Sequence, residues 1–159
     1  MYSPYEHLSE LAKALVDRNG AAYKGVFRLR LGVFYGDTFV GWSTGNQENS
    51  DTYYMRNSAI FEEHRRKGLY SALLEESVRR ILAAGFQRIM SRHNTDNNAV
   101  IIPKLKAGFL ITGMEIDDKY GVLVNLSYYP HELRRKVIAY RTGRLHADAE
   151  VARVLKLDR

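Results

Sequence analysis

The chain has 159 residues, a length suited to one domain with one core, and its 45% hydrophobic and 26% charged residues exclude a disordered tract. It contains no Cys, which excludes a disulfide framework, a thiolate zinc site and a Cys nucleophile. Its 24 Lys and Arg against 18 Asp and Glu give a net charge of +6 that favours an anionic partner, and no apolar run is long enough to cross a bilayer or act as a signal peptide, so the expectation is a soluble cytoplasmic protein.

Ser3, Pro4 and Glu6 have the pattern of an N-cap, a first-turn proline and a capping box. Tyr5, Leu8, Leu11, Ala12, Leu15 and Val16 follow at helical spacing, and Gly20 closes an amphipathic helix. Two strands are predicted over Val26–Tyr35 and Thr38–Ser43, joined by a tight turn at Gly36-Asp37. The polar stretch Thr44–Asp51 is expected as a loop. A third strand from Thr52 to about Phe61 completes an antiparallel meander.

At Leu69 the period changes. Leu69, Leu73, Leu74, Val78, Ile81 and Leu82 line one face of a helix that Gly85 stops, and Glu75 with Arg79 and Glu76 with Arg80 pair across its solvent side. A short strand, Arg88–His93, and a polar turn, Asn94–Asn98, lead to a shorter helix through Ile101, Ile102 and Leu105 that ends at Gly108. Pro103 removes one backbone hydrogen bond from that helix. Strands over Phe109–Ile116 and Val122–Tyr129 surround a turn at Asp117–Gly121. Pro130 precedes a basic helical stretch, His131–Arg144, and Ala147–Leu157 is either a docking helix or a frayed tail. With no internal repeat and no long linker, residues 1–159 are expected to form a single domain.

One junction carries chemistry. The strand ending at Phe61 runs through Arg65, Arg66, Lys67 and Gly68 into the strongest helix. Strand, turn and helix together present unpaired backbone N–H groups and a positive dipole end to an anion. Gly68 lets backbone approach a phosphate closely, and the three cations add charge-assisted donors. A solvated charged turn capping a helix would have the same sequence, so the residues alone leave both readings open.

The stretch Ser58-Ala59-Ile60-Phe61-Glu62-Glu63-His64-Arg65-Arg66-Lys67-Gly68-Leu69-Tyr70-Ser71-Ala72-Leu73-Leu74 resembles motif A of the GNAT acetyltransferases. That motif is an apolar strand, then Gln/Arg-x-x-Gly-x-Gly/Ala, then a helix; here Tyr70 replaces the last small residue. Asn97-x-x-Val100-x-x-x-Lys104-x-Lys106-Ala107-Gly108-Phe109 resembles the family's second signature, Asn-x-x-Ala-x-x-x-Tyr-x-Lys-x-Gly-Phe, with Lys104 at its Tyr. The resemblance covers Phe27–Tyr129 and leaves residues 131–159 as a C-terminal helical extension. The family's usual first strand is not evident ahead of the first helix.

The resemblance implies an α+β fold, a mixed and mostly antiparallel central sheet flanked by helices. It implies acetyl-CoA as co-substrate, its pyrophosphate held by backbone amides from Arg66 through Lys67, Gly68, Leu69 and Tyr70 to Ser71, beside Arg65. Ser58, Ala59, Ile60 and Phe61 would pair with the pantetheine arm, and Asn97 would reach the cofactor from the neighbouring strand. The implied reaction is direct attack of an unidentified amine on the thioester. Lys104 stands where the family carries a Tyr general acid; it either donates a proton or faces water. Glu62 and Glu63 are candidate bases, or simply exposed charges at a strand end. His7, His64, His93, His131 and His146 lack metal-ligand spacing, so no metal is expected. A non-catalytic acyl-CoA sensor on the same fold is the alternative. Core-like Tyr spacing tells against a nucleic-acid module. No membrane partner is expected, and the sequence leaves a homodimer open.

Overall fold

The computed structural model describes residues 6, 8–22 and 25–157. Strands β1 (Arg28–Tyr35), β2 (Thr38–Gln47) and β3 (Thr52–Ile60) form the antiparallel meander that the alternation predicts. Tyr35 pairs with Thr38 across the two-residue turn, and Gly36 supplies its positive φ of +56°.

Strand β2 runs further than expected, to Gln47, so the polar stretch from Thr44 is strand before it is loop. Both edges of β2 are paired there: Gly45 lies opposite Leu29 and Met55, and Asn46 opposite Arg28 and Tyr54. Pairing on two sides outweighs the turn-like composition. Gly45 is required for close approach, because a Cβ would collide with the Tyr54 carbonyl oxygen and lie 2.7 Å from the Tyr53 hydroxyl.

Helix α2 (Leu69–Ala83) follows, and Gly85 ends its run at φ +95°. The expected Glu76–Arg80 pair forms at 2.6 Å, but Arg79 pairs with Glu76 at 2.7 Å rather than with Glu75, so Glu76 takes both guanidiniums. The i,i+3 neighbour reaches the same carboxylate as readily as the i,i+4 one. Then come β4 (Arg88–Asn94), α3 (Asn98–Lys106), β5 (Leu110–Asp117) and β6 (Gly121–Tyr128). Pro103 lies inside α3 without ending it, and the ladder resumes with Ala107 N donating to the Pro103 carbonyl at 2.9 Å.

The six strands lie in the order β1-β2-β3-β4-β6-β5, antiparallel throughout except for β3 beside β4. Leu74 and Ile81 of α2, Ile101 of α3, and Ile89, Phe109 and Leu126 from the sheet side join one buried cluster. Each such side chain contributes ~1.5–3 kcal/mol of apolar burial.

The parallel junction positions the site. Its ladder has three pairs, Thr52↔Arg88, Tyr53↔Ile89 and Tyr54↔Met90. Immediately beyond, β3 is bulged: Met55 lies opposite Gly45 and Asn57 opposite Thr44, which leaves Arg56 as the extra residue. A bulge bends its strand and increases the twist. So β3 follows β2 to Ile60, β4 follows β6 to Asn94, and a wedge opens between them.

Helix α1 (Glu10–Ala22) begins later than predicted. Ser3, Pro4 and Tyr5 lie outside the described residues, and Ser9 caps the observed helix, its hydroxyl accepting from Ala12 N at 3.3 Å. The helix also passes through Gly20. Its apolar residues are not covered: Leu11 is 72% exposed and Val16 47%. Among the described residues no strand precedes α1.

The chain divides into two compact units between Tyr128 and Tyr129. The second contains α4 (Glu132–Arg141) and α5 (Ala149–Leu155). Asp148 caps α5 by accepting from Val151 N at 2.8 Å, and Lys136 of α4 stands 3.0 Å from Glu150 and 3.2 Å from Asp148. The basic stretch therefore stops being helical at Arg141, and the terminal segment forms a capped helix rather than a frayed tail.

Candidate active site

Between Ile60 and Leu69 the chain reverses through a short 3-10 turn at Glu62–His64. Arg65 anchors the return by donating from Nε to the Ile60 carbonyl at 2.9 Å. Arg66 and Gly68 take positive φ values of +58° and +77°. For Arg66 this left-handed conformation is costly, and for Gly68 it is not. The reversal places the start of α2 at the mouth of the wedge. No side chain caps α2, and its first internal bond is Ala72 N to the Gly68 carbonyl, so the N–H groups of Leu69, Tyr70 and Ser71 precede the ladder.

A cavity of about 560 Å³ lies here. The sequence-predicted residues Ser58, Ala59, Ile60, Arg65, Arg66, Gly68, Leu69, Tyr70, Ser71 and Asn97 all line it, joined by His64, Ala99, Val100 and Pro103. Five predicted residues do not: Phe61, Lys67, Glu62, Glu63 and Lys104. Phe61 turns to the aromatic cluster of Phe39 and Trp42, with ring centroids 5.8 and 5.9 Å away. Lys67 reaches back to the Glu63 carbonyl at 3.1 Å. Glu62 and Glu63 are exposed in the 3-10 turn, outside the cavity lining.

A second cavity of about 370 Å³ fills the wedge and shares Ser58, Tyr70, Asn97 and Val100 with the first. Its walls are Tyr54 to Ser58 of β3, Arg92 to Asn94 of β4, and Lys104, Tyr120 and Leu123. Among the described residues no Asp or Glu lines either cavity.

Lys104 is 2% exposed, which rules out its water-facing reading. Its ammonium donates to Ser91 Oγ at 2.8 Å, lies 3.8 Å from Met55 Sδ and stands 5.2 Å from the Phe109 ring centroid. No carboxylate offsets the loss of water, so burial pushes its pKa down from 10.5 to about 7. His93 Nε2 shares the same Ser91 hydroxyl at 3.0 Å. Burial, and then the Lys104 charge, hold its imidazole down to about 3, so it is neutral at physiological pH. Tyr70 is held well above the usual phenol range by burial, and its hydroxyl is buried without a hydrogen-bond partner where the two cavities meet.

Periodicity did not reveal Ser91, Arg92, His93 or Tyr120, because nothing local in a seven-residue strand or a turn says which neighbour peels away. Tyr70 did leave a signal, as a large side chain where the motif carries a small one. Among the described residues no group of three or more His, Asp or Glu is arranged to hold a metal ion. No helix among them is long and apolar enough to cross a membrane.

A family model described as the acetyltransferase (GNAT) family matches residues 3–109. The chain belongs to that family. Solved structures share this GNAT fold at low identity. A GNAT family acetyltransferase from Elizabethkingia anophelis with acetyl-CoA bound aligns with a TM-score of 0.61 at 14% identity, over 81% of this chain and 92% of its own. An IAA acetyltransferase from Bacillus cereus gives 0.61 at 18%, over 80% and 95%. The ribosomal-protein-S18-alanine N-acetyltransferase from Escherichia coli gives 0.59 at 16%, over 71% and 76%. No curated protein matches the chain. The mixed six-stranded sheet is thus the GNAT sheet, and the unpaired β3–β4 wedge opens beside motif A.

Proposed function

We propose that this protein transfers an acetyl group from acetyl-CoA to an amine, with the coenzyme in the first cavity and the acceptor in the second. The observation that carries this reading is the continuous opening from the uncapped start of α2, along the β4-facing edge of β3, into the wedge. The residues present fit the coenzyme. Arg65, Arg66 and three leading N–H groups suit a pyrophosphate, and no acidic side chain lines the cavity to repel one. Beyond Tyr54 the β3 edge has no ladder partner, so alternate residues of 57–60 offer backbone groups to an amide-bearing arm.

Acetyl-CoA, when bound, supplies the thioester that the amine attacks. The protein's part is to align the two along β3, keep water out of the wedge and manage protons. Lys104, with a pKa of about 7, can hold or release a proton near neutrality and exchange it through Ser91. Tyr70 offers a hydrogen bond to the junction while keeping its own proton. Glu62 and Glu63 have no part in this scheme. The absence of any carboxylate lining the cavities favours a second reading, a non-catalytic acyl-CoA sensor.

Calorimetry with coenzyme A tests the first cavity. Gly68→Val removes close backbone approach and should weaken affinity ~10–100-fold, the loss of one or two charge-assisted hydrogen bonds. Affinity in the parent should also fall as salt rises, because Arg65 and Arg66 act from an exposed mouth. Unchanged affinity in a folded Gly68→Val protein would overturn the pyrophosphate assignment. Thiol release from acetyl-CoA across an amine panel separates enzyme from sensor.

A further inference from the structure

The geometry points to an acceptor amine that carries a small oxyanion, a carboxylate or a phosphate, bound by Arg56 and Arg92 in the wedge cavity. This inference rests on the proposed function and names its substrate class.

Both guanidiniums lie against one ring. The Arg56 Cζ stands 5.4 Å, and the Arg92 Cζ 5.2 Å, from the Tyr54 centroid, so both cations lie against the same phenol in the cavity wall. Arg56 is the bulge residue of β3, present because the ladder skips it. Asn46 Oδ1 accepts from its Nε, which fixes the guanidinium plane and leaves the terminal nitrogens to face a ligand. Arg92 is held by an ion pair instead. Its Nε lies 3.3 Å from Glu115 Oε2 but is buried without a hydrogen bond.

The charged side chains that line the wedge have one sign. Arg56, Arg92 and, below about pH 7, Lys104 face the cavity, and none of its lining residues is acidic. Arg56 also faces a neighbouring groove lined by Arg28 and Arg30, again with no Asp or Glu in the lining. A polycationic acceptor entering this wedge would meet two guanidiniums, while Glu115, already ion-paired to Arg92, is not among the lining residues. An oxyanion would meet planar, forked donors suited to it. The same cations favour the neutral form of the acceptor's amine, which is its nucleophilic form, so they assist attack without a carboxylate base.

The test is calorimetric, with coenzyme A present, using matched probes: tyrosine against tyramine, histidine against histamine, O-phosphoethanolamine against ethanolamine, and spermidine as the polycation. An anionic member of at least one pair should bind ~10–100-fold more tightly than its partner, the range for a charge-assisted hydrogen bond. The amino-acid and phosphate arms tell which oxyanion is preferred. In Arg56→Gln, Arg92→Gln and the double variant the preference should collapse to within ~3-fold while coenzyme A affinity, the check on folding, is unchanged. Equal binding within every pair, tighter binding of the amines or of spermidine, or no binding of any anionic probe would each overturn the inference. The titrations are repeated without coenzyme A. A parent that fails to bind the coenzyme but keeps the anion preference overturns the proposed function and leaves the oxyanion site standing.

Discussion

Lys104→Met replaces a buried ammonium with an apolar chain of similar length. At low pH the parent carries the full cost of that charge. The depression from 10.5 to about 7 is roughly 3.5 units, about 5 kcal/mol at ~1.36 kcal/mol per unit. Below pH 7 both the folded and the unfolded chain hold the proton, so the cost is constant and maximal. Between pH 7 and 10.5 the unfolded chain retains a proton that the folded chain has lost, and stability rises with pH. Above 10.5 the cost is gone. The Met side chain keeps the contacts to Met55 and Phe109 for at most ~1.5 kcal/mol of repacking. It leaves Ser91 Oγ without its Lys donor, a further ~1 kcal/mol. The variant should therefore be more stable than the parent by about 2–3 kcal/mol near pH 6, and less stable by about 1–2 kcal/mol near pH 10.5. Urea denaturation of both proteins across that range measures the crossing. A difference that does not change with pH would show that Lys104 is not desolvated, and the proton-handling role argued from it would fall as well.

In the absence of ligand, Tyr70→Phe removes a buried hydroxyl that has no partner, so thermal denaturation should show no loss and a gain of up to ~2 kcal/mol; a loss of that size would mean the hydroxyl is satisfied. Gly45→Ala forces a Cβ onto the Tyr54 carbonyl and the Tyr53 ring, and should cost ~1–3 kcal/mol in chemical denaturation. A neutral result there would mean that β2 can shift away from β3. The His93 imidazole should stay neutral down to about pH 3 in a proton-detected titration; because the unfolded imidazole titrates near 6.5, stability should fall as pH drops from 6.5 toward 3. A midpoint above about 5 would contradict its burial beside Lys104.

Much of the fold was legible because its signals are local. Two-residue alternation, the Gly36 turn, the switch of period at Leu69 and the stops at Gly85 and Gly108 depend on residues a few positions apart. Most of the first cavity's lining was legible for the same reason, since Ser58–Ile60 and Arg65–Ser71 belong to one continuous strand, turn and helix that reaches the cavity with little help from elsewhere. Even within that segment, Phe61 and Lys67 turned away. One joined rings on β2, and the other found the nearest carbonyl.

What tertiary structure decided depends on strands distant in sequence. The wedge exists because β3 bulges at Arg56 against β2 while β4 stays paired with β6, and no one of these strands encodes the parting. Lys104 in a nine-residue helix has the composition of a surface residue, and only the packing of α3 over Met55, Ser91 and Phe109 buries it. Arg56 and Arg92 are 36 positions apart in the chain, yet both lie against one Tyr54 ring. A side chain's charge belongs to its sequence, but the cost of that charge is set by how much water and which counter-charges remain around it, and those are fixed only when the strands separate.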